Sequence, residues 1–239
     1  MKRRILLSLL IATPLAMGPS TEPAAADGWD HQIAPYIWGT GLDGTIGIGP
    51  VQTSVDLSFS DILETLDGGI LVHYEGSKGD WTILSDLVFT DVGTSSDLVD
   101  TDYKQTIFEL GAARAVKPGF EVLFGLRWND NDAEIRVLGP GGVIDARAEG
   151  DVSWTDPFVG GRWKAELSDK WALQTRLDAG GFGVGSDLTW NASLTALYKA
   201  TQKVTVGVGY RVVDVDYDDA PLVYDVQMPG ALLGVGFSF

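Results

Sequence analysis

The chain has 239 residues, 45% hydrophobic, with 30 Gly, 8 Trp, no Cys and a formal net charge of −16. So acidic a composition speaks against nucleic-acid binding, because phosphate contacts need clustered Lys and Arg. The lack of Cys excludes a disulfide framework and a lipid-modified N-terminal Cys.

At the N-terminus, Lys2, Arg3 and Arg4 precede the apolar stretch Ile5 to Met17, and Ala24, Ala25 and Ala26 follow. This three-part pattern predicts a secretory signal over 1–26, cut after Ala26, with one domain over 27–239. Pro14, Pro19 and the short apolar run argue against a membrane anchor. Losing Lys2, Arg3, Arg4 and Glu22 from 17 basic and 33 acidic residues leaves 14 against 32, a net charge of −18. The hydrophobic and aromatic content argues for a folded chain, and after the signal no apolar run approaches the ~20 residues of a spanning helix. A membrane crossing here would use strands.

The first predicted strand is 29–40. Gly41 to Ser58 then looks like a hairpin turning at Gly49-Pro50, and Ser60 to Leu66 a short helix with Ser60 as N-cap and Glu64 near the first turn. Strands follow near 69–77, 80–92, 102–116, 119–135, 150–165, 170–182, 187–199, 203–217 and 223–239. Several read with period two. Phe120, Val122, Phe124, Leu126 and Trp128 oppose Glu121, Arg127 and Asn129; Trp190 to Tyr198 and Val204 to Val212 repeat the pattern. In the last seven residues, Leu233, Val235, Phe237 and Phe239 alternate with Gly234, Gly236 and Ser238.

A soluble sandwich also alternates. Here, however, the stripes span ~9–11 residues, the length of a tilted membrane strand. Aromatics gather at stripe ends, and whole charges occupy the polar face, where a lipid-facing Arg would cost ~2–4 kcal/mol at the midplane. The expected fold is therefore all-β: one closed antiparallel transmembrane barrel of about ten strands, with a helical segment near 60–66. Eight or twelve strands remain alternatives, twelve if 41–68 crosses twice. Short turns on the periplasmic side should alternate with longer outer loops; the connection at 183–186 is short for such a loop.

The segments APYIWGTGLDGTIGIG (34–49), SFSDILETLD (58–67), DPFVGGRW (156–163), LSDKW (167–171), DAGGFGVGSDLTW (178–190) and GYRVVDVDYDD (209–219) resemble a group of small, mostly uncharacterised outer-membrane β-barrel proteins of Gram-negative bacteria. The resemblance covers nearly all of the chain after the signal and implies fold and location, not an activity. It also implies that the C-terminal aromatic, Phe239 with Phe237, is the signal presented to the barrel assembly machinery. Outer-membrane lipid and lipopolysaccharide would be the other partners.

Expected inside the lumen are the charges Glu75, Asp86, Glu109, Arg127, Asp156, Arg162, Arg176, Asp178 and Arg211. They read either as paired networks that fill a small barrel or as an eyelet sorting small solutes. A lipid-modifying hydrolase or acyltransferase would need Ser, His and a carboxylate at the outer rim. Of the two histidines, His31 lies near the periplasmic end, and His73 shares the inner face with Glu75 and Asp86, with no Ser expected beside it. The expectation is thus a structural barrel or narrow passive pore without catalysis or cofactor. An enzyme using His73 and surface recognition through acidic loops are the alternatives. Those loops carry Asp97, Asp100 and Asp102, then Asp130, Asp132 and Glu134, then Asp214, Asp216, Asp218 and Asp219; they lack the calcium-loop pattern and read as solvated. GGFGVG at 180–185 has no following Lys-Ser/Thr or helix, so turn formation explains it better than a phosphate cradle.

Overall fold

The computed structural model describes residues 28–48, 51–95, 99–138, 144–219 and 222–239. The predicted signal, 1–26, and Asp97 lie outside the described residues. The described residues are almost entirely strand: β1 Asp30–Thr40, β2 Leu42–Ile48, β3 Val51–Leu57, β4 Leu66–Lys78, β5 Trp81–Ser95, β6 Val99–Lys117, β7 Phe120–Leu138, β8 Ile144–Glu166, β9 Trp171–Gly181, β10 Leu188–Lys199, β11 Val204–Asp219 and β12 Leu222–Ser238, with one helix among them, α1, Phe59–Thr65. Ten strands form a closed antiparallel ring in the order β1-β4-β5-β6-β7-β8-β9-β10-β11-β12, and β12 returns to β1.

The segment 41–68 does not add spanning strands. β2 pairs with the N-terminal half of β12, from Leu222 to Gln227, and β3 pairs with β2, so this hairpin stands outside the ring. The helix starts earlier than expected. Ser58, not Ser60, is the N-cap: its hydroxyl accepts from Asp61 N at 3.3 Å while the Asp61 carboxylate accepts from Ser58 N at 2.9 Å. This reciprocal pair satisfies two otherwise orphaned N–H groups. The hydrogen bonds from Ser58 hold the Asp61 carboxyl below the usual carboxylate range.

Side chains alternate around the ring as period two requires. Outward positions carry a belt of exposed apolar residues that includes Phe124, Leu177, Leu194, Val208 and Leu233. One end of the ring holds the tight turns near 79–80, 118–119, 168–170 and 200–203 together with Gly28 and Phe239; the other holds the hairpin β2–β3, α1 and the long strand arms.

Those arms correct two expectations. Asp102, Asp130, Asp132, Asp214, Asp216 and Asp218 belong to strands rather than loops. Along β11 the outward stripe Val208-Tyr210-Val212 gives way to Asp214-Asp216-Asp218, while the inward face changes from Gly209 and Arg211 to Val213, Val215 and Tyr217. The two faces exchange polarity at about Val212. Beyond it this part of the wall is acidic outside and apolar inside, so the outward apolar stripe of β11 ends near Val212. The arms are also uneven: β8 has 23 residues, whereas β9 and β10 have 11 and 12. The short connection at 182–187 joins the two low strands, which is why it needs no length.

Candidate functional site

All nine charges expected in the lumen point inward, and eight of them join one continuous network through His73. At its base, Arg162 donates to Glu121 at 2.7 Å and also to Glu75, whose Oε1 lies 2.9 Å from His73 Nε2. His73 Nδ1 meets Asp86 at 3.0 Å, and Tyr36 donates its hydroxyl to the same carboxylate at 2.8 Å. Arg211 reaches Asp86 at 3.5 Å and Glu109 at 3.4 Å. Glu109 also accepts from Arg127 and Arg176, each at 2.8 Å, and both arginines bond Asp178 at 2.7 Å. Glu109 and Arg127 have no exposed surface.

These bonds cross the barrel. β6 and β11 stand opposite one another in the ring of ten, so the Arg211–Glu109 pair lies on a diameter. Buried ions of this kind persist only when every lone pair and proton finds a partner. Phe158 packs against the layer: its ring lies 5.4 Å from the Arg127 guanidinium and 5.5 Å from that of Arg176.

The ninth charge, Asp156, stands apart. It accepts from Ser186 N at 2.7 Å, Ser186 Oγ at 2.8 Å and Trp154 Nε1 at 3.1 Å. The two Ser186 donors tie the 182–187 turn to the wall, and Gly181, Phe182 and Gly183 there all have positive φ. The run GGFGVG is this turn.

Above the charge layer the packed lumenal side chains are mostly apolar, with Gln105, Asn129 and Asn131 also buried there. Trp38, Val88, Ile107, Trp154, Val213, Val215, Tyr217, Tyr224, Val226 and Met228 pack together there. Trp154 stacks on Tyr217 with ring centroids 4.3 Å apart, and Gln105 of β6 donates to the Tyr224 hydroxyl of β12 at 2.8 Å. Below the charge layer the lumen is hollow. A cavity of about 200 Å³ reaches from His73, Asp86 and Arg211 downward. A second, of about 360 Å³, continues it to the turn residues Lys117 and Gly119, and the two share Gln32, Glu75, Arg162, Gln174, Leu197 and Thr205 in their walls. The interior is therefore a vestibule at the turn end, roofed by ion pairs and then by an apolar layer.

His73 sits in this roof with both ring nitrogens turned on carboxylates, so neither is aimed at a hydroxyl. Serines do share the inner face, a correction to the sequence reading. Ser77 lies on the His73 stripe but bonds Thr82 at 2.9 Å, and Ser193 lines the same cavity as His73. His31 is elsewhere, at the turn end: its Nδ1 is 2.9 Å from the Tyr74 hydroxyl and its ring stacks on Phe239 at 5.5 Å. Sequence reasoning left Glu121 and Tyr36 out of the network, although each shares a stripe parity with members of it. It missed the roof because Val213, Val215 and Tyr217 continue an alternation whose sense has reversed.

No protein-family model and no curated protein sequence matches the chain. Among solved structures it is similar to the outer membrane protease OmpT from Escherichia coli, with TM-score 0.50 and 9% identity over 92% of this chain and 99% of that one. It is also similar to the translocator domain of autotransporter NalP from Neisseria meningitidis (0.46, 13%, 88% of each chain) and to Ail, the attachment invasion locus protein of Yersinia pestis (0.41, 13%, 89% and 99%). The structural neighbours are thus outer-membrane β-barrel proteins. At 9% identity the likeness to OmpT shows the fold alone and carries nothing about chemistry.

Proposed function

We propose that this protein is an integral outer-membrane barrel of a Gram-negative envelope, with a structural role, a lumen sealed toward the cell exterior, and no catalysis. The outward apolar belt fits hydrocarbon, and the ring closes on itself where β12 returns to β1. The turn end would face the periplasm and the acidic arms the lipopolysaccharide side. Barrel assembly machinery would read the terminal aromatics Phe237 and Phe239.

One observation carries the sealed reading: Arg211 and Glu109 meet across the barrel's diameter within a layer that has no exposed surface at Arg127. Recordings from the purified protein in planar bilayers test it. A silent bilayer is the expected outcome. Discrete conductance steps would overturn the sealed lumen and favour a second reading, a narrow pore, which the hollow lower half already supports in part. The enzyme reading draws less support, because the carboxylates that flank His73 occupy both its nitrogens.

A further inference from the structure

The ring is not paired along its whole height. β1 follows β12 as far as Thr40, but it pairs with β4 only from Asp30 to Pro35. Beyond the Pro35–Val72 pair, β4 continues on β5 to Leu66, and β1 continues on β12. His31 exchanges its N–H and C=O with Phe239 of the C-terminal end. Because successive residues of a strand turn their main-chain groups to alternate sides, Tyr36, Trp38 and Thr40 face β4, while Gly69 and Leu71 of β4 face β1, with no β1–β4 pairing between them. The resulting seam runs for the length of 36–40, about 16 Å.

The seam lies beside the apolar belt. On its outer lips, Ile37 stands opposite Leu233 and Ile70 opposite Phe89, and the two isoleucines are 62% and 60% exposed. Immediately behind it, Trp38, Val88 and Leu71 belong to the apolar layer of the lumen. Over its upper end sits α1, where a Cβ on Gly39 would lie 3.3 Å from the Phe59 ring; Phe59 and Leu63 remain exposed. Neither 36–40 nor 68–71 contains a charge. Unpaired backbone at membrane depth is tolerated only where protein covers it or it lines a cavity. A seven-residue helix resting at one end of the seam covers it in part.

We infer that the β1–β4 seam is a lateral binding groove for the acyl chain of an outer-leaflet lipid, which lies between Ile37 and Ile70 and reaches the lumenal face at Trp38 and Leu71. An acyl chain is the occupant that matches an unpaired, uncharged line of strand continuous with the belt; a protein partner would find no polar rim to orient it. The inference rests on the membrane reading above.

The test uses the full protein in lipid vesicles doped with a phospholipid carrying a photoreactive group on its acyl chain, followed by mass-spectrometric mapping of the labelled residues. Label should appear on outward residues such as Phe124 and Leu194, on Ile37 and Ile70, and also on the inward-facing Trp38 or Leu71, with inward Leu84 and Leu123 unlabelled. Label confined to outward residues overturns the groove and leaves the membrane reading intact. An absence of label even at Phe124 and Leu194 overturns the membrane reading and the groove with it.

Discussion

Arg127 is wholly enclosed and holds two carboxylates, Glu109 and Asp178, each within 2.8 Å. Removing one partner of a buried ion network leaves the others desolvated and uncompensated, a loss of about 3–5 kcal/mol. Arg176 remains on both carboxylates, so Arg127→Ala should fall toward the lower end of that range. Arg136 offers the contrast. It bonds Glu134 at 2.6 Å and approaches Asp102 at 3.3 Å, but all three side chains are partly open to solvent. Arg136→Ala should cost no more than about 1 kcal/mol. Urea midpoints of the two variants refolded into lipid vesicles measure the difference, and equal midpoints would mean that the lumen network contributes no more than a surface pair.

At the level of strands, the fit between β6 and β7 depends on two glycines that face each other, Gly111 and Gly125. Their missing side chains leave the space that the Phe158 ring occupies, and that ring in turn lies against Arg127 and Arg176. A Cβ on Gly125 would stand 2.4 Å from Leu110 O and 2.8 Å from Phe158. Gly125→Ala should therefore destabilise by about 1–3 kcal/mol through overpacking. Gly68→Ala, with nothing within 4 Å of its Cβ position, should cost less, and thermal melts of both variants decide. The same strands show what sequence reveals and where it stops. All ten ring strands were legible because period two, aromatic stripe ends and tight turns agree locally. The upper ends of β6 to β8, beyond the expected bounds of 102, 135 and 150, are hard to read because Asp130, Asp132 and Glu134 break the apolar stripe above Trp128. Only the tertiary position of the belt shows that a strand can continue past it with its faces exchanged. Arg127, Arg176 and Asp178 could be assigned to the lumen from parity, but which carboxylate meets which guanidinium depends on the ring's stagger, which no local pattern encodes. Pro35 removes a donor on the side of β1 that faces β12, and nothing in 36–40 or 66–71 announces that β1 and β4 part beyond it.

Closure of the whole barrel brings residue 239 back to residue 31. Phe239 N donates to His31 O at 3.0 Å, His31 N donates to Phe239 O at 3.3 Å, and the rings stack at 5.5 Å. Each such hydrogen bond contributes only about 0.5–1.5 kcal/mol net, and the Phe239 side chain is 68% exposed. The remainder of β12 stays paired with β11 from Val204↔Phe237 to Asp219↔Leu222, and with β1 from Ser238 to Gly230. Deleting Phe239 should therefore lower the melting temperature of the refolded barrel only slightly. If the terminal aromatic is what the assembly machinery reads, the same deletion should sharply reduce the amount of protein recovered in the outer-membrane fraction of cells. The two measurements separate the roles. Low outer-membrane recovery with a near-normal melt assigns Phe239 to insertion, a parallel fall in both assigns it to closing the ring, and normal recovery removes it as an assembly signal.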